Sequence, residues 1–75
     1  MVALPVISGK ECVKAFIRAG FSVVRRHSSH LILRRTSPFA QVTIPDHRTL
    51  DRGTLKSILR GAGLSTEEFE RFLEG

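Results

Sequence analysis

Apolar residues recur along this chain in two rhythms, and the switches between them set out the predicted elements. After Ser8, the residues Cys12, Val13, Phe16 and Ile17 are spaced as one face of an α-helix. Ser8 and Glu11 form a capping box at its start, and Gly20 stands where a helix ends in a left-handed residue. From Phe21 to His27 the paired valines and the lack of a breaker predict a strand. Ser28-Ser29 makes a tight turn. A second strand over His30 to Arg35 has a period of two, with Leu31 and Leu33 on one face and His30, Ile32 and Arg34 on the other. Thr36-Ser37-Pro38 turns the chain. Ala40 to Ile44 is a third strand with Val42 and Ile44 inward, stopped by Pro45.

The helical rhythm then returns. Pro45 to Leu50 is a polar loop holding His47 and Arg48. Leu55, Ile58, Leu59 and Ala62 give one apolar face to a helix from about Asp51 to Ala62, ended by Gly63. Ser65 and Glu68 make a second capping box, and Phe69, Phe72 and Leu73 line a short last helix. The order α-β-β-β-α-α predicts an α+β fold: a three-stranded antiparallel meander with helices on one face. The other face stays open and presents His30 and Arg34.

Seventy-five residues make one small domain, 1–75, which buries roughly 60% of its unfolded surface. The net charge of +5 hides an asymmetry. Met1 to Arg60 holds 11 Lys/Arg against 3 Asp/Glu, whereas Gly61 to Gly75 holds one Arg against four Glu. The basic body predicts an anionic partner. Nine of the twelve basic residues are Arg, whose planar fork matches phosphate, so nucleic acid is favoured. Cys12 is the only cysteine. No internal disulfide can form, a cytoplasmic setting fits, and the apolar stripe makes Cys12 a core residue. The apolar start, Met1 to Ile7, lacks a charged flank and is too short for a signal peptide or a membrane span.

The run Arg25-Arg26-His27-Ser28-Ser29-His30 concentrates the candidate chemistry. Unperturbed histidine titrates near neutrality, which suits proton transfer. Here it stands among Arg25, Arg26, Arg34 and Arg35, which can neutralise phosphates, so the expected substrate is RNA. RNA cleavage needs a base for the 2′-OH proton or an acid for the leaving 5′-oxygen, plus cations on the phosphate; one histidine and an arginine cluster supply these without a metal. His27 and His47 are weaker candidates, read more readily as exposed side chains than as partners in the chemistry. Zinc held by the histidines and Cys12 is disfavoured, because close-spaced ligand pairs are missing. Lys10 and Lys14, and Lys56 and Arg60, are basic pairs on helix faces that solvent alone explains. The first-turn amides at Gly53-Thr54 could hold an anion. No Walker spacing supports nucleotide hydrolysis.

Several stretches resemble the HicA (YcfA-type) mRNA interferase toxins. They are Gly20-Phe21, Val24-Arg25 and Ser29-His30; the run Val42-Thr43-Ile44-Pro45-Asp46-His47; and Leu50, Gly53-Thr54-Leu55, Ile58-Leu59-Arg60 and Ala62-Gly63-Leu64-Ser65. The resemblance covers roughly Lys10 to Phe72. It implies a fold like that of double-stranded-RNA-binding domains, mRNA cleavage without cofactor, a catalytic role for His30, and a HicB-type antitoxin that masks the site. Arg25, Arg26, Ser29, Arg34, Arg35 and His47 are then the expected RNA contacts. The family usually has Gly at the place of Ser28 and often Lys at that of His27; if Ser28 needs a positive φ, it carries about 1 kcal/mol of strain. A non-catalytic RNA-binding module of the same fold is the alternative, and a basic adaptor for an acidic protein is a third reading. The imidazole discriminates, since binding alone does not require it.

Overall fold

A computed structural model describes residues 4–75; Met1 to Ala3, the first part of the apolar start, lie outside the described residues. The chain runs α1 (Gly9–Arg18), β1 (Ser22–His27), β2 (His30–Thr36), β3 (Phe39–Pro45), α2 (Arg52–Ala62) and α3 (Thr66–Glu74). The strands form one sheet in the order β1-β2-β3, antiparallel throughout. All three helices lie on one side of it. This is the α+β architecture that the two rhythms predict. No helix among the described residues is long and apolar enough to cross a membrane.

The helix ends follow from their local sequence. Ser8 Oγ accepts the Glu11 amide and Glu11 Oε1 accepts the Ser8 amide, both at 3.1 Å. At the other end of α1, Gly20 has φ +97°. The Phe21 amide reaches back to the Phe16 carbonyl at 3.0 Å and the Gly20 amide to that of Ile17 at 3.1 Å, a Schellman closure. It brings the Phe16 and Phe21 rings edge to face at 5.0 Å. Gly63 and Leu64 close α2 in the same way. Asp51 caps the start of α2, and hydrogen bonds from the Thr54 amide and hydroxyl hold its carboxyl below the usual carboxylate range. Ser65 and Glu68 form the capping box of α3, and the Ser65 bonds lower Glu68 likewise. Arg18 donates to the Phe72 carbonyl at 2.7 Å, tying α1 to the last turn of α3.

The core joins Phe16, Phe69, Leu33, Ile44, Leu50, Leu55 and Cys12, all fully or almost fully buried. Burial pushes the Cys12 thiol up to about 12, as a core cysteine requires. One predicted position differs. Ile17 is 52% exposed, and Ala15 takes its place on the buried face. At about 100° per residue, Cys12, Ala15 and Phe16 share a sector, whereas Ile17 falls about 100° beyond Phe16. The chain is also tighter than its pattern suggests at Gly9. The Gly9 amide donates to the His47 carbonyl at 2.9 Å. A Cβ on Gly9 would overlap the Pro45 carbonyl oxygen and press on Asp46 Cα and His47 N at 3.1 Å.

Gly9→Ala is therefore expected to destabilise the fold by about 1–3 kcal/mol, the usual cost of overpacking. The neighbour that must yield is backbone, which no rotamer change relieves. Denaturant unfolding measures it as a lower midpoint at unchanged slope.

Candidate functional site

The open face of the sheet is set by strand register. β2 pairs with β3 without interruption: His30 lies opposite Pro45, Leu31 opposite Ile44, Leu33 opposite Val42 and Arg34 opposite Gln41. Leu33, Val42 and Ile44 are buried beneath the helices, so His30, Ile32 and Arg34 point the other way, as their period predicts. β1 is less regular. Val23 pairs with Leu33 but Arg25, not Val24, pairs with Ile32, so Val24 is an extra residue in a bulge. Without that bulge Arg25 would lie opposite Leu31 and Arg26 opposite His30. With it, Arg25 and His27 join His30 and Arg34 on the open face, and Arg26 turns to the helix side.

His27 and His30 close the β1-β2 hairpin as a cross-strand pair, and both are exposed. Between them Ser28 has φ +56°. A two-residue turn with positive φ at its first position alone has the II′ arrangement, which favours Gly there. The strain anticipated for Ser28 is present. The turn is fastened to the loop after β3: the Asp46 amide donates to the Ser29 carbonyl at 2.6 Å, and Arg26 Nη2 meets Asp46 Oδ2 at 2.9 Å. The Gly9 bond to His47 then anchors the same loop to α1. His30 thus stands on the central strand beside a turn held from two sides.

The four arginines expected to act together are divided by the fold. Arg25 and Arg34 share the open face. Arg34 Nε and Nη2 both donate to Gln41 Oε1, at 3.0 and 2.8 Å, which orients its guanidinium. Arg26 is engaged by Asp46. Arg35 is not part of the site. It lies on the helix side, its guanidinium 4.7 Å from the centre of the Phe21 ring, donating to the carbonyls of Pro38 and Ala62 at 3.1 and 3.2 Å. The reason is parity: Arg35 has the same phase as Leu31 and Leu33. The strands contain no Asp or Glu, so the open face carries cations without anions. It also carries Phe39, 69% exposed, at the far end from His30.

The remaining candidates lie to one side. His47 is exposed and lines a cleft of about 350 Å³ with Ser8, Lys10, Asp46 and Arg48, between the start of α1 and the loop after β3. The Thr54 amide is taken by Asp51 at 2.7 Å, so the first turn of α2 does not offer the anion site its sequence suggested. Among the described residues no three His, Cys, Asp or Glu side chains gather as a metal-ligand set. The arrangement can present an imidazole to a phosphodiester beside Arg25, with Arg34 further along the same face. The Val24 bulge and the Gly9 contact had no clear signal in the sequence; the Val23-Val24 pair breaking strand alternation is the nearest hint.

Compared with known families, residues 9–64 match the sequence model described as HicA toxin of bacterial toxin-antitoxin. The match spans α1, the whole sheet and α2. Among curated proteins none matches the chain.

Ser28→Gly is expected to raise stability by about 1 kcal/mol, because glycine adopts positive φ without the Cβ penalty. In a domain of this size that amounts to a rise in melting temperature of about 4–8 °C. Ser29→Gly, at a position without positive φ, is expected to lower it.

Proposed function

The chain belongs to the HicA toxin family of bacterial toxin-antitoxin systems, and we propose that it silences translation as a metal-independent mRNA interferase with His30 as a proton-transfer group. A toxin role and the need for an antitoxin come with the family. The single observation that supports the chemistry is the composition of the open face. An exposed histidine stands on the central strand with Arg25 and Arg34 on the same face, and no strand supplies a carboxylate.

RNA carries its own nucleophile, the 2′-OH. The enzyme has to move a proton and stabilise charge gathering on the phosphoryl oxygens. His30 supplies the imidazole. Arg25 and Arg34 supply the charge, Arg34 already aimed by Gln41. Ser29 and His47 are further RNA contacts in this reading, and the cleft beside His47 offers Lys10 and Arg48 to further phosphates. Arg26 acts through Asp46 on the turn, and Arg35 on the fold. The antitoxin is then a HicB-type protein whose acidic surface covers the open face, and the complex works in the cytoplasm. An RNA-binding module without catalysis would use the same arginines but would not need the imidazole.

His30→Ala is expected to lower RNA cleavage by about 10²–10⁴ and to abolish growth arrest. His30 is exposed, so thermal melting stays unchanged. EDTA leaves the unmutated chain active. Cleavage by His30→Ala at the normal rate, or loss of activity in EDTA, contradicts the mechanism.

Replacing Arg25 and Arg34 by Ala is expected to weaken RNA binding and to flatten its dependence on salt by about one unit of slope per arginine. Arg35→Ala is expected instead to lower the melting temperature. Titration of RNA at several salt concentrations separates the two groups.

A further inference from the structure

Cleavage of RNA by its own 2′-OH involves two proton transfers. The 2′-oxygen loses a proton as it bonds to phosphorus. The 5′-oxygen gains one as its bond to phosphorus breaks. The products are a 2′,3′-cyclic phosphate and a free 5′-OH, with no net proton consumed. A single imidazole serves only one of these transfers at a time; the other then falls to water.

We propose that His27 is the second proton-transfer group of the site, a catalytic residue paired with His30 across the hairpin. This rests on the ribonuclease reading above. His27 and His30 are directly opposed in the β1-β2 ladder and flank its two-residue turn. Opposed residues share a face of the sheet, with Cβ atoms about 4.5–5.5 Å apart. Both side chains are exposed. Two imidazoles at that separation can straddle one phosphodiester, one as base towards the 2′-oxygen and the other as acid towards the 5′-oxygen.

The bulge is what creates the pair. A regular β1 would set Arg26 opposite His30 and move His27 out of the ladder into the turn. The charged groups around the pair favour the same use. Arg25 lies two residues back on β1, on the same face, and Arg34 four residues along β2. β3 contributes no titratable side chain, and Asp46 just beyond it is held by Arg26. The helices occupy the opposite side of the sheet. No carboxylate within the strands competes with the phosphate for either imidazole.

The test is single-turnover cleavage of an RNA oligonucleotide by the unmutated chain, His27→Ala and His30→Ala across pH 5–9. A second substrate carries sulfur in place of the bridging 5′-oxygen, a leaving group that needs no proton. The unmutated chain is expected to give a bell-shaped profile. His27→Ala is expected to lose one limb of it and about 10²-fold or more in rate at the optimum, with unchanged melting temperature. The sulfur substrate is expected to restore one of the two variants and not the other, which also assigns acid and base. A His27→Ala variant with full rate and an intact bell, beside an inactive His30→Ala, overturns the role of His27 and leaves the ribonuclease reading standing. So does a variant that loses only affinity for an uncleavable 2′-deoxy analogue, which makes His27 a phosphate contact. Rescue of both variants or of neither also overturns the pairing. An unmutated chain that cleaves no RNA overturns both readings.

Discussion

The burial of Leu33, with Leu31 beside it, against the helices is the constraint from which the site follows. A strand has two faces, and helices cover only one face of this sheet. Leu33 is fully buried, so His30, Ile32 and Arg34 must face away. A slip of one residue would exchange the faces. It would expose the fully buried Leu33, worth about 1.5–3 kcal/mol, and the half-buried Leu31, worth less. It would also bury a charged arginine without a partner, at several kcal/mol. Those costs together are comparable with the whole stability of a small domain, about 5–15 kcal/mol, so the register is firmly held.

The turn that carries His30 gains its position differently, through backbone contacts that require closeness rather than bulk. Gly9 lets the start of α1 lie against Pro45 and His47. Asp46 then links that loop to Ser29 through its amide and to Arg26 through its carboxylate. An ion pair with one partner 57% exposed adds little stability. Its effect is geometric: it restrains the hairpin end and engages Arg26, which the Val24 bulge has turned to the helix side.

Charge counting overstates the binding surface for the same reason. Arg18, Arg35 and Arg52 donate to main-chain carbonyls of Phe72, Pro38 and Ala62, and Leu4. These arginines close the fold where helix ends and the incoming chain leave carbonyl oxygens without partners. Of the basic side chains that remain, Arg25 and Arg34 are on the open face and Lys10 and Arg48 line the cleft beside His47, while Lys14, Lys56, Arg60 and Arg71 are exposed on the helices.

The element order, both capping boxes, the glycine helix ends and the outward face of β2 were legible in the sequence. Each depends on neighbours within a few residues, or on a strict period of two or near four. The strain at Ser28 was foreseen conditionally, from the Gly that the resembled family usually has there, and the positive φ meets that condition. The family resemblance rested on residues dispersed from Gly20 to Ser65, and the family match over residues 9–64 agrees with it. The pairing of His27 with His30 followed from the two-residue turn at Ser28-Ser29, whereas the exposure of Ile17 and the division of the arginines were decided by tertiary structure. The bulge at Val24 changes the phase of β1, and the phase decides which of two adjacent arginines meets solvent on the open face. No local propensity of Val-Val-Arg-Arg-His sets that phase, because it depends on how β2, anchored by its buried Leu33, aligns with a strand that has no buried residue of its own.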